Sequence, residues 1–264
     1  MHEVLASGRC ETITRIAPFL YGRFVRRKDF RSGQYYHCDV NTLNFRALKA
    51  SLLGAITLAA LLFIPAGTLD YWQGWLFMAV FVGASSAVTV YLAVRDPALL
   101  ERRMKAGPTA EKESTQKRVM LFAMAGFIAL IVVPALDHRF GWSPAPPYVS
   151  LAGDVLVAFS FLLVFIVLKA NTYAASTIQV TAGQQVISSG PYALVRHPMY
   201  AGVFPLLVGM PLALGSWLGL LVLLLFMPTL IWRLLHEEKF LRQNLPGYVE
   251  YCQKVRYRLL PYIW

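Results

Sequence analysis

Two short stretches gather the side chains that can hold a charged ligand. The first is Arg196-His197-Pro198-Met199-Tyr200-Ala201-Gly202, and the second is Arg233-Leu234-Leu235-His236-Glu237-Glu238-Lys239. Pro198 suits the first turn of a helix, because the N–H it lacks has no intrahelical partner there. Arg196 and His197 then stand at a helix entrance, where backbone amides lack acceptors and the dipole is positive. Such an entrance favours an anion such as a carboxylate. Gly202, one turn on, lets a ligand or a neighbouring helix approach the backbone closely. In the second stretch Arg233 and Glu237 are four residues apart and share a helix face. Glu237 and Glu238 lie about 100° apart around a helix, so one carboxylate is expected to face a ligand and the other water or a basic neighbour.

Each feature alone has a plainer explanation. Arg-His-Pro can be an interfacial anchor at a helix start, and Arg233 with Glu237 a surface ion pair worth about 0.2–0.5 kcal/mol. Tyr248, Tyr251, Tyr257, Tyr262 and Trp264 read as an aromatic belt at a membrane interface. Asp70, Asp137 and Asp154 fall at the far ends of apolar stretches, where solvation is the expectation. Cys10, Cys38 and Cys252 have no nearby histidine at a suggestive position and read as inert. The functional reading rests on the combination, with both stretches on one face and a short hairpin between them.

The surrounding elements must bring them together. The chain has 264 residues, 57% hydrophobic and only 15% charged, against roughly 25% charged in soluble domains. A soluble single-core enzyme and a disordered chain are both excluded. Three widely spaced cysteines make no disulfide scaffold, and no Cys-x-x-Cys or His-x-x-x-His pair suggests a metal. Six apolar stretches approach the roughly 20 residues a bilayer span needs: Ala47–Ala66, Gly74–Val94, Val119–Leu136, Val149–Leu168, Met199–Leu214 and Trp217–Leu235. The expected fold is an all-α integral membrane protein with about six transmembrane helices. The last two, separated by Gly215-Ser216, form a tight helical hairpin, with Pro205 and Pro211 kinking the fifth.

The net charge of +11 admits nucleic acid or an anionic membrane. Nine Lys/Arg fall in residues 1–49, seven in the loop 95–118 and eight in residues 169–264, leaving Arg139. Six spans put the three large groups on one side, which the positive-inside rule makes cytoplasmic along with both termini and the site. The excess is therefore topological, with membrane lipids and no nucleic acid as partners. No residue pattern specifies an oligomer.

Three regions follow. Residues 1–45 form a basic cytoplasmic arm, amphipathic or partly disordered. Residues 46–169 carry four spans and the interfacial loop 95–118, where Asp96 caps a short helix with Leu99, Leu100 and Met104 inward and Gly107 at its end. Residues 170–264 form the third region, with both charged stretches, the hairpin and the tail. Its polar segment Asn171 to His197 has turn chemistry at Ala182-Gly183 and Gly190-Pro191.

Gly190-Pro191-Tyr192, Arg196-His197-Pro198-Met199-Tyr200-Ala201-Gly202, Glu237-Glu238 and Pro246-Gly247-Tyr248…Tyr251 together resemble the isoprenylcysteine carboxyl methyltransferase family and its phospholipid methyltransferase relatives. The resemblance covers roughly residues 170–264. It implies a membrane enzyme that uses S-adenosylmethionine without a Rossmann domain, and no Gly-x-Gly-x-x-Gly follows a strand here. On that resemblance the cofactor is held by Gln184, Gln185, Val186, Ile187, Tyr192, Arg196, His197, Pro198, Met199, Tyr200, Glu237 and, second in rank, Glu238. Gln184 stands where some eukaryotic members have histidine. Arg233 faces the methyl acceptor, a lipophilic small molecule or prenylated substrate. A carboxylate acceptor is already ionised near neutral pH and needs no base; an amine, phenol or thiol would call on His236 or His197.

The rival reading is an NADPH-dependent membrane reductase. Tyr251-Cys252…Val255-Arg256-Tyr257-Arg258-Leu259-Leu260-Pro261 resembles the C-terminal end of sterol reductases, which also carry an Arg-His-Pro-like string. Those proteins are longer and end their last helix in Arg-Asp-Glu instead of His236-Glu237-Glu238. A non-catalytic scaffold or transporter is the third possibility.

Overall fold

The computed structural model describes residues 10–11, 24–28, 35–104, 106–107, 109, 114–174, 177, 180 and 183–264. Most of the arm 1–45, including the segments around its three short strands, and the expected turn residue Ala182 lie outside the described residues. The strands are β1 Cys10–Glu11, β2 Phe24–Lys28 and β3 Tyr35–Asp39, paired antiparallel in that order. From Val40 onward the described chain is helical: α1 Val40–Ala66, α2 Trp72–Arg95, α3 Pro97–Met104, α4 Ser114–Phe140, α5 Pro147–Ala170, α6 Pro198–Ala213, α7 Leu218–Asn244 and α8 Tyr248–Lys254.

Five helices, α1, α2, α4, α5 and α7, are long and apolar enough to cross a membrane, and α6 is a shorter apolar helix. The chain is a multi-pass membrane protein. Its helices are apolar nearly all round, as lipid-facing helices are; Ile64, Val94 and Leu225 point outward with 74%, 74% and 82% exposure. The fifth expected span is short: 16 residues rise about 24 Å against a hydrocarbon core of about 30 Å. Pro205 and Pro211 both lie inside it.

The α6–α7 hairpin is not the tight pair the sequence suggests. Its arms touch at the turn, where Gly219 packs on Pro211. Beyond it α6 turns to α5 and α7 to α4. Glycines set both pairings: a Cβ at Gly153 of α5 would strike the Ala213 amide of α6, and one at Gly126 of α4 would strike the Phe226 ring of α7. The hairpin is therefore closed at its turn, and a cavity separates its arms at the other end. Gly153→Ala should lower the thermal midpoint in detergent by several degrees, because backbone atoms cannot move aside. Gly54→Ala, with nothing within 4 Å of the added Cβ, should hold or raise it. Equal midpoints would show that the α5–α6 contact is slack.

The turn end is polar and fixed. Asp137 of α4 is 1% exposed. It accepts hydrogen bonds from the Ser143 amide (2.6 Å), the Ser143 hydroxyl and the Ser216 hydroxyl. Tyr71 donates to the Leu214 carbonyl at 2.7 Å, and Ala145 to the Gly215 carbonyl at 2.8 Å. Asp137 thus organises the turn and is not the solvated carboxylate expected; Asp154 is buried as well, whereas Asp70 is exposed. At the opposite end α3 forms as expected. Asp96 Oδ1 accepts the Leu99 amide at 3.0 Å, Leu99 and Leu100 are buried, and the helix stops at Met104, short of Gly107.

Candidate functional site

The second polar end is built around the entrance to α6. His197 is the N-cap residue and Pro198 opens the helix. Ser160 of α5 donates to the Gly202 carbonyl at 2.6 Å, and a Cβ at Gly202 would lie 3.3 Å from Val164 N. Gly202 therefore admits a neighbouring helix, the second of its two expected uses. The approach to α6 is held from behind by the tail. Arg196 N donates to the Tyr257 carbonyl at 2.8 Å, and His197 N to the Arg258 carbonyl at 2.9 Å.

Glu238 joins three parts of the chain. It is 3% exposed and accepts from Arg196 Nη1, from Arg242 Nη2 at 2.7 Å and from Arg258 Nε at 2.7 Å. His197 Nε2 lies 3.8 Å away. Arg196 Nη2 meanwhile donates to the Arg256 carbonyl at 2.9 Å. Glu238 does not line the cavity, so its expected place among the cofactor ligands gives way to a structural one. Of the two adjacent carboxylates, this is the one facing basic neighbours. Arg196 reaches the cavity wall with its terminal nitrogens already engaged; only Nε is without a hydrogen bond.

Glu237 faces the other way, into the cavity. Its Oε2 accepts from the Tyr200 hydroxyl at 2.7 Å, across from α7 to α6. Arg233 is beside the same hydroxyl, and Tyr200 meets the His197 ring edge-to-face at 5.9 Å. The cavity has a volume of about 590 Å³, within the range of small-molecule sites. Of the residues expected from sequence, Gln184, Gln185, Val186, Ile187, Tyr192, Arg196, His197, Pro198, Met199, Tyr200, Arg233 and Glu237 line it. Its far part runs between α4, α6 and α7, walled by Met120, Phe127, Leu207, Phe226 and Leu230. One end is thus polar, at the helix termini, and the other greasy, within the bundle.

The tail tyrosines do not all form an interfacial belt. Tyr248 and Tyr251 are buried in a cluster with Leu245, Val255, Val186 and Tyr192, and both line the cavity. Tyr251 donates to the Tyr192 carbonyl at 2.6 Å, and Asn171 Nδ2 donates to the Tyr192 hydroxyl at 2.8 Å. Burial pushes the Tyr192, Tyr248 and Tyr251 phenols above their ordinary pKa, so they stay protonated donors at neutral pH. Two buried polar atoms on the wall, His197 Nε2 and the Tyr248 hydroxyl, have no hydrogen-bond partner among the described residues.

Sequence reading missed Tyr248 and Arg103 as cavity residues. The signal for the first was Pro246-Gly247, since Gly247 has φ +81° and turns the chain so that Tyr248 folds back on α7. Arg103 looked like one of seven basic loop residues, and nothing local distinguished it.

Residues 149–246 match the family described as phospholipid methyltransferase. That stretch runs from the start of α5 to just past α7 and contains both chemistry-bearing segments. It supports a membrane methyltransferase, and the matched family is one that the resemblance set beside the isoprenylcysteine enzymes. The chain is also similar to the Delta(14)-sterol reductase TM7SF2 of Mus musculus, with 33% identity over 91 residues, covering 33% of this chain and 22% of that protein. The chain therefore spans about a fifth of that relative's length.

Proposed function

We propose that the chain is an S-adenosylmethionine-dependent methyltransferase whose acceptor is the carboxylate of an isoprenylated cysteine or of a similar isoprenoid or lipid. One observation carries this reading: a single cavity has a polar end shared by His197, Tyr200, Arg233 and Glu237 and an apolar end inside the bundle. A charged, water-soluble methyl donor and a greasy acceptor need those two environments side by side.

The residues fit the donor. His197 Nε2 and the Tyr248 hydroxyl are buried without a hydrogen bond among the described residues, and a buried polar group without one is costly unless a ligand or water meets it. With the α6 entrance they suit an α-carboxylate. Glu237 accepts from ribose hydroxyls or the α-ammonium. Tyr192 and Tyr200 offer ring faces to adenine and to the sulfonium. Held there by these residues, S-adenosylmethionine would supply an electrophilic methyl on its sulfonium sulfur for transfer to the acceptor oxygen, with S-adenosylhomocysteine as the leaving group. Arg233 orients the anionic acceptor, and the apolar wall excludes water from the line of attack. A carboxylate needs no base, in keeping with phenols that remain protonated. The helix ends rich in Lys and Arg lie at the cavity end, so the positive-inside rule turns this end and both termini to the cytoplasm.

Incubation with methyl-labelled S-adenosylmethionine and a membrane lipid extract tests the reading. Label should enter the organic phase and be released as methanol by mild alkali, as an ester is; alkali-stable label would move the acceptor to an amine. Arg233→Ala should reduce transfer about 10- to 100-fold, the worth of one hydrogen bond to a charged group, while calorimetry finds donor affinity unchanged within about twofold. Full turnover would remove Arg233 from the reaction.

The similarity to a sterol reductase and the Tyr251 to Pro261 string favour one second reading, reduction with NADPH. Calorimetry separates the alternatives directly. A methyltransferase binds S-adenosylmethionine, a reductase binds NADPH, and a scaffold or transporter that keeps the fold binds neither.

A further inference from the structure

A second concavity, of about 390 Å³, lies between α1, α2 and α5. Its walls include Ala50, Gly54 and Ala55 of α1, Ser85 and Thr89 of α2 and Phe161 of α5. The Ser85 and Thr89 hydroxyls are turned back on their own helix, donating to the Val82 and Ser85 carbonyls at 3.1 and 2.9 Å. These two hydroxyls are therefore satisfied within α2, and most of the remaining wall is apolar. Gly54 is exposed, and no described residue stands within 4 Å of where its Cβ would be. Gly54 is also near the middle of a 27-residue helix, so the groove opens sideways at hydrocarbon depth, where lipid chains are the surrounding solvent.

The head end of this groove is roofed and charged. α3 lies across it, with Leu99 and Leu100 packed among Ala47, Leu92 and Leu168. Arg102 Nη2 donates to the Thr172 carbonyl at 2.5 Å and ties α3 to the segment after α5. Arg103, next along, lines both the groove and the main cavity, as does Val164. Burial pulls the Arg103 pKa below the ordinary arginine value.

We propose that this groove holds a further apolar chain of the acceptor lipid, beside the one that the apolar end of the main cavity takes, and that Arg103 holds the lipid's anionic group, phosphate or carboxylate, at the rim of the methyl-transfer cavity. The word acceptor rests on the methyltransferase reading; the lipid site does not. Arg103 is then a specificity residue. It selects amphiphiles with a negative group beside the chain and delivers their head toward Arg233. Neutral lipids enter the same groove without that anchor.

The test uses the full chain in phosphatidylcholine nanodiscs with two probes. One is phosphatidic acid with a diazirine on its acyl chain, and the other is diacylglycerol with the same chain. After irradiation, peptides of α1 and α2 that face the groove should be labelled about tenfold more by phosphatidic acid, the order expected from one charge-assisted contact. Gly54→Phe, which fills open space, should cut that labelling at least about fivefold. Arg103→Gln should bring phosphatidic acid down to the diacylglycerol level, and Arg103→Lys should keep most of the preference. Equal labelling by the two probes, or labelling untouched by Gly54→Phe, overturns the site. In the activity assay Gly54→Phe and Arg103→Gln should raise the acceptor KM about tenfold, and Gly54→Phe, outside the main cavity, should leave S-adenosylmethionine binding unchanged. An unchanged KM beside the expected labelling overturns the acceptor's place in the groove. A parent protein that binds no S-adenosylmethionine sinks the methyltransferase reading alone, and the labelling still decides the groove.

Discussion

Glu237→Gln is expected to show no saturable binding of S-adenosylmethionine at concentrations that saturate the parent protein. The substitution keeps the shape of the side chain, so the bundle should fold with unchanged helical circular dichroism. It removes the carboxylate that faces the cavity and replaces one acceptor oxygen by an NH2 donor. Tyr200, 2.7 Å from Oε2, can still find the remaining oxygen; the donor's ammonium and ribose hydroxyls then meet an amide with half the acceptor capacity and no charge. Each hydrogen bond to a charged group is worth about 1.5–3 kcal/mol. Two such contacts amount to about 3–6 kcal/mol, a loss of roughly 100- to 10,000-fold in affinity. Arg233→Ala on the same helix should leave that affinity nearly intact. The contrast matters more than either value, because it separates a donor contact from an acceptor contact within one turn of α7. Normal binding by Glu237→Gln would remove this carboxylate from the site and leave α7 without a role in holding the donor.

Much of this arrangement was legible because its signals are local. Pro198 marks a helix start whatever the tertiary context, and His197 is the N-cap residue. A helical period alone sends Glu237 and Glu238 to different faces, and one carboxylate faces the cavity while the other faces three guanidinium groups. What local pattern could not supply was the partner across space. Arg196 and Glu238 are 42 residues apart, so the sequence shows two charges near a membrane boundary but not their pairing. The wedge between α6 and α7 was equally hidden. It depends on Gly153 and Gly126 drawing each arm to a different neighbour, and glycines inside apolar runs look alike until the opposing backbone is known. Asp137 was misread for the same reason: an acid at a span end is normally solvated, and only the return of Ser143 and Ser216 explains its burial.

Glu238→Ala should be the most destabilising single change in the site half of the molecule. The side chains of Arg196 and Glu238 are 7% and 4% exposed, and removing one member of a buried ion pair leaves the other charged in a poorly solvated place, at about 3–5 kcal/mol. Arg242 and Arg258 matter less. Their side chains are 44% and 29% exposed, so each can turn to water at small cost. The damage should therefore centre on Arg196 and on the tail that Arg258 anchors. Two measurements check this: a fall in the thermal midpoint, and faster trypsin cleavage after Arg256 and Arg258. Replacing both partners, Arg196→Met with Glu238→Leu, should recover most of the midpoint, because apolar side chains of similar volume remove the desolvation penalty along with the attraction. It should not recover donor binding. His197 sits between this cluster and the cavity, 3.8 Å from Glu238 on one side and edge-on to Tyr200 on the other, and the double variant removes the acid that sets its ring. Recovery of the midpoint without recovery of binding would assign Glu238 to positioning. Parent-like stability in Glu238→Ala would instead show that the buried cluster is not the clamp described, and would return Glu238 to the set of groups that touch the ligand.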